Sequence, residues 1–109
     1  MTDKIIVLTT CDSEAEAQEI ALYLVERHVA ACVNILPRAQ SVYRWQGSIR
    51  NSSECVLLIK SRRDLFTTLR AEIEKVHSYK VPEIMALPVT EGSEPYLNWL
   101  ESQLATPGS

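Results

Sequence analysis

The seven residues His77-Ser78-Tyr79-Lys80-Val81-Pro82-Glu83 put an imidazole, a phenol and a carboxylate around one turn of chain. Loops held between rigid elements are where binding groups collect. A plainer reading gives His77 a place at a helix C-terminus, where its charge suits the dipole, and leaves Glu83 as a solvated strand residue. Cys11 widens the chemistry. It stands just past an apolar run that reads as a central strand, where a thiol can be partly exposed. One thiolate, one imidazole and one carboxylate suit a soft or borderline divalent ion such as copper or zinc. Cys11, His77 and Glu83 are therefore the candidate metal ligands. His28 reads as helix-end packing, and Cys32 and Cys55 as strand-interior core.

Patterns for other chemistries are missing. The three glycines, Gly47, Gly92 and Gly108, stand far apart, so no loop can cradle a phosphate by the known fingerprints. No Cys-x-x-Cys or His-Glu-x-x-His spacing exists to close a structural zinc site. A nucleophile elbow is absent too. No organic cofactor is expected, and the chain is expected not to be an enzyme. With 11 Lys and Arg against 14 Asp and Glu, the net charge is -3, without the basic surplus that nucleic-acid binding draws on. The densest basic stretch, Lys60-Ser61-Arg62-Arg63, runs straight into Asp64 and reads as a strand end and helix start. No apolar run nears the ~20 residues that cross a bilayer. Met1 to Lys4 lacks the features of an export signal, so a cytoplasmic location with reduced thiols is the expectation.

These side chains need elements to hold them. Ile5-Ile6-Val7-Leu8 predicts a central strand covered on both faces. Ser13 and Glu16 have the spacing of a capping box, and Ala17, Ile20, Leu24 and His28 continue at helical spacing, predicting a helix from Glu14 to His28. Ala30 to Leu36 is a second strand, bent at Pro37 and resumed through Ser41 to Gln46. Gly47 marks a hairpin tip, and Glu54 to Lys60 is the returning strand. Ser61 to Asp64 has the form of a second capping box before a helix that bears Phe66, Leu69, Ile73 and Val76. Ile84 to Leu87 is a fourth strand, and Ser93 with Pro95 starts a last helix. The order predicts one α+β domain over residues 1–104, ferredoxin-like (split β-α-β), followed by a loose tail over 105–109. Its sheet is mainly antiparallel, with a long hairpin and an added C-terminal helix. The third strand is apolar at Val56 and Leu58 as well as at Leu57 and Ile59. Two covered faces are more than one short helix can supply, which predicts self-association. Tyr43 and Trp45 share a face of the projecting hairpin. Cross-strand packing is one role for them; an aromatic anchor between subunits is the other, and the projection favours it.

The segments Ala30-Ala31-Cys32-Val33-Asn34-Ile35-Leu36-Pro37 and Ser41-Val42-Tyr43-Arg44-Trp45-Gln46-Gly47 resemble the central signature of the CutA divalent-cation tolerance family. Lys60-Ser61, His77-Ser78-Tyr79, Pro82-Glu83-Ile84, Leu87-Pro88-Val89 and Tyr96-Leu97-Asn98-Trp99 follow in the family's order. The resemblance implies a homotrimer, copper and related ions as ligands, and a cysteine, histidine and glutamate ligand set that falls on Cys11, His77 and Glu83. The family's cysteine takes more than one register: Cys11 matches one, and Thr9 occupies the other. Asp12 and Ser78 stand where many relatives carry proline. Two alternatives follow from the same architecture. One is a regulatory module of the PII type, taking a small organic ligand in subunit clefts lined by Lys60, Tyr79, Glu83 and Trp45. The other is an acylphosphatase-like enzyme, against which Cys11-Asp12-Ser13-Glu14 weighs because it would repel an anion.

Overall fold

The apolar run on both sides of the first strand's pleat is accounted for by its position inside a four-stranded sheet. The computed structural model describes residues 1–106. Along them run β1 (Lys4–Cys11), α1 (Glu14–Glu26), β2 (Cys32–Trp45), β3 (Ser48–Arg62), a 3-10 turn (Arg63–Leu65), α2 (Phe66–Val76), β4 (Met85–Pro88) and α3 (Glu94–Ser102). The sheet order is β2-β3-β1-β4, with every neighbouring pair antiparallel. β3 therefore splits β1 from β2, which is the ferredoxin-like arrangement with a long hairpin and an added C-terminal helix. No helix among the described residues is long and apolar enough to cross a membrane.

Strand register sorts the side chains onto two faces. Val7 opposite Ile59, Thr9 opposite Leu57 and Cys11 opposite Cys55 point to the helix side. There they pack with Ala17, Ile20 and Leu24 of α1 and Leu69 and Ile73 of α2. Each large apolar side chain buried this way contributes about 1.5–3 kcal/mol. The opposite face carries Ile6, Leu8, Val56, Leu58, Met85 and Leu87. Only one end of it is covered, by α3. Leu100 and Leu104 there pack against Ala31 and Leu65. Glu101 binds Lys4 at 2.9 Å and Arg62 at 2.7 Å, and Arg62 also binds Asp64 at 2.6 Å. The rest of the face is open, with Leu36 46% exposed, Met85 54% and Leu87 49%.

Local competition decides several boundaries. Ser13 accepts a bond from the Glu16 amide at 3.1 Å, but the Glu16 carboxylate turns to Ser78, so only half of the first capping box forms. The second box does not form. Ser61 stays in β3 and donates to the Val29 carbonyl at 2.7 Å, and α2 begins at Phe66 without a side-chain cap. Pairing of Arg62 with Lys4 holds the strand through the expected cap position. Helix α1 ends at Glu26, two residues short of expectation, and His28 takes φ 59. Arg38 also has φ 59, and the β2–β3 register shifts between Leu36 and Ala39, so Pro37 does mark a bend within one strand. At the tip, Gln46 (φ 50) and Gly47 (φ 81) give the two positive angles of a type I′ turn. The arm draws the molecule out to 44 × 26 × 22 Å. Of the segment expected as a loose tail, Ala105 is tied: its amide donates to the His28 carbonyl at 2.8 Å, and its carbonyl accepts from Arg62 at 2.6 Å. Residues 107–109 lie outside the described residues.

Candidate functional site

The end of β1 and the turn after α2 meet through His77. Its backbone is extended (φ -81, ψ 139) and ends the helix, and its side chain is fully buried. Nε2 donates to the Thr10 carbonyl at 2.7 Å, and Nδ1 accepts from the Tyr79 amide at 3.0 Å. A carbonyl only accepts and an amide only donates, so these two partners fix the tautomer with its hydrogen on Nε2. Both ring nitrogens are occupied. Ser78 follows, and its amide and hydroxyl bind Glu16 at 2.8 and 3.0 Å. Burial works to raise the Glu16 carboxyl, but the two Ser78 bonds outweigh it and hold it below the usual range.

Cys11 is not partly exposed as the sequence suggests. It is the last residue of β1, faces the helices, and has no accessible surface. Its Sγ lies 3.5 Å from the Ser13 carbonyl, and burial first, then the Glu16 charge, push its thiol up to about 12. Cys55 is buried beside it and Cys32 is half-buried on the other face. Glu83 is exposed and lines a cleft instead. Among the described residues no three His, Cys, Asp or Glu side chains are grouped to hold one metal ion. As placed, then, Cys11, His77 and Glu83 do not fit a divalent ion: the thiol keeps its proton, the imidazole has no free nitrogen, and the carboxylate stands apart.

The cleft encloses about 380 Å³ between the hairpin arm and the turn before β4. Tyr43, Trp45, Glu54, Tyr79, Lys80 and Glu83 line it, with Thr10 nearby. The alternation of β2 and the bend at Pro37 put Tyr43 and Trp45 on the same face as Glu54, since Ala39 pairs with Glu54 and they stand four and six residues further on. The Tyr79 hydroxyl donates to Glu54 Oε2 at 2.7 Å. Burial, then that bond, raises the Tyr79 phenol well above its ordinary value. Trp45, Tyr79 and Glu83 thus line one cleft within the single chain, whereas the ligand cleft expected from the sequence lies between subunits. Lys60 is not with them: it donates to the Tyr96 hydroxyl at 3.3 Å, in a separate hollow beside Gly92 and Leu97. Glu54 is the site residue that sequence reading misses. Its signal is a carboxylate opening an otherwise apolar strand, Cys55 to Ile59.

Residues 5–103 match the family model described as CutA1 divalent ion tolerance protein. The divalent-cation tolerance protein CutA of Thermus thermophilus is 47% identical over 95 residues, 87% of this chain and 92% of that protein. Protein CutA of Homo sapiens is 44% identical over 91 residues, and the chain spans only 51% of its length. Among solved structures, the divalent cation tolerance protein Cut A1 of Thermus thermophilus superimposes with a TM-score of 0.91 at 44% identity, covering 94% of this chain and 99% of that one. CutA from Xylella fastidiosa gives 0.92 at 35% identity, covering 95% and 100%.

Proposed function

The chain belongs to the CutA1 divalent ion tolerance protein family, and from that premise we propose that it serves metal tolerance as a homotrimeric binding protein with no turnover of its own. Copper is the first ion in this reading and zinc the second, on the softness of the candidate donors. The observation that carries the assembly is the open sheet face with Met85, Leu87 and Leu36 exposed, which a copy of the chain would cover. In the tolerance reading the long arm, with Tyr43 and Trp45 about half exposed, supplies aromatic anchors for a neighbour; in the small-ligand reading the same pair lines the cleft instead. The ion itself draws on family membership, because the donors are committed elsewhere. In this reading Cys11, His77 and Glu83 are the ligands the family resemblance implies, and each would first have to leave its present place: the thiol is buried, the imidazole is bonded at both nitrogens, and Glu83 lines the cleft. Reduced, unpaired cysteines suit a cytoplasmic setting.

Native mass spectrometry of the reduced protein with and without copper and zinc tests this. The expected result is a trimer taking one ion per subunit, lost in His77→Ala and kept in His28→Ala. Equal effects of the two variants would sink the ligand assignment. A trimer that stays metal-free would keep the assembly and move the function to a second reading, which the cleft favours. In it the protein is a regulatory module of the PII type that takes a small organic ligand. The cleft's size falls within the ~300–1,000 Å³ usual for such sites.

A further inference from the structure

We propose that the cleft between the hairpin arm and the turn before β4 selects an organic cation, an ammonium group seated on Tyr43, Trp45 and Tyr79 with its charge toward Glu54. The inference rests on the small-ligand reading of that cleft.

Glu54 is the starting point. It is 8% exposed, and its one hydrogen-bonded partner is the neutral Tyr79 hydroxyl. The ion pairs among the described residues leave Glu54 out, so no Lys, Arg or His nitrogen lies within 4.0 Å of it. A carboxylate withdrawn from water without a countercharge is costly, and a cation arriving in the cleft offsets that cost. The other two charges on the lining, Lys80 and Glu83, are opposite in sign and offset one another. Anions are disfavoured by the remaining carboxylate.

The walls narrow the class further. The faces of Tyr and Trp rings carry negative potential and attract an ammonium or guanidinium group within about 6 Å. A divalent metal gains nothing from them. It would need at least about four donor atoms in fixed geometry, and no such group exists among the described residues. The cleft is therefore matched to an alkylammonium or quaternary ammonium group rather than to the ion of the tolerance reading.

The test uses the assembled protein carrying Trp99→Phe. The sequence has two tryptophans, so Trp45 becomes the sole reporter. Its emission is followed while choline is added, and then 3,3-dimethylbutan-1-ol, the neutral isostere of choline. Choline should give a saturable change and the isostere should bind at least about tenfold more weakly. Glu54→Gln should weaken choline by about tenfold and leave the isostere unchanged. Equal affinity for the two probes would overturn cation selection while the cleft reading stood. No binding of either would overturn both. If Glu54→Gln fails to fold, the comparison of probes on Trp99→Phe alone still decides.

Discussion

Two buried groups at the end of β1 show how position sets chemistry residue by residue. Cys11 has the side chain of a soft metal ligand, yet burial keeps its proton on. A thiol with a raised folded pKa contributes stability that is whole below its ordinary value and is lost as pH climbs toward the folded one. For Cys11 that window runs from 9.0 to about 12. Stability measured by urea unfolding should therefore fall less steeply across that range in Cys11→Ala than in the parent chain. A parallel slope in the two would show that the thiol ionises equally in both states. The place of His77 at a helix end is readable from Val76 and the Pro82 that follows, because both obey local rules. The exposure of Cys11 is not readable, since it depends on which face the last residue of β1 presents to α1. Thr9 has the same orientation, and its hydroxyl is fully buried with no bonded partner among the described residues.

At the level of elements, the strands and helices follow from periodicity, but their ends follow from tertiary competition. Ser61 has cap chemistry and still remains in a strand, because Val29 offers its hydroxyl an acceptor and Lys4 pairs with Arg62. Helix α3 depends on another such local network. Its Glu101 is half-exposed but receives the side chains of Lys4 and Arg62, which are 8% and 3% exposed. Removing that carboxylate leaves two nearly buried cations with Asp3, Asp64 and the Ala105 carbonyl as their remaining partners. Glu101→Gln should cost about 2 kcal/mol, discounted from the ~3–5 of a fully buried pair because Glu101 itself meets solvent. Urea midpoints measure this, and a change below a few tenths would show that Leu100 and Leu104 dock the helix unaided. The sequence reveals α3 through Ser93, Pro95 and its leucines; the ion network is invisible there because its members are far apart along the chain.

Across the whole molecule, an open apolar face lies beside a well-covered one. The doubled apolar pattern of β3 foretells this, and the structure locates the bare part away from α3. A charge placed there should oppose association without disturbing the helix-side core. Leu87→Arg should shift the proposed trimer toward monomer in native mass spectrometry, with its helical circular dichroism retained. An unchanged trimer would move the interface elsewhere, to the arm or to the outer faces of the helices.

The irregularity at Pro37 and Arg38 has a consequence for the whole arm. From Leu36 to Ala39 the second strand advances three residues while its partner moves two, from Val56 to Glu54. That odd step inverts the phase of the pleat. Without it, the alternation set by Leu36 would carry on and turn Val42 and Arg44 toward Glu54. The aromatic lining would then pass to the opposite surface, with the strands, their pairing and the core all left in place. One surplus residue thus works as a frame-setter, choosing which of two alternating side-chain sets the arm offers as its inner surface.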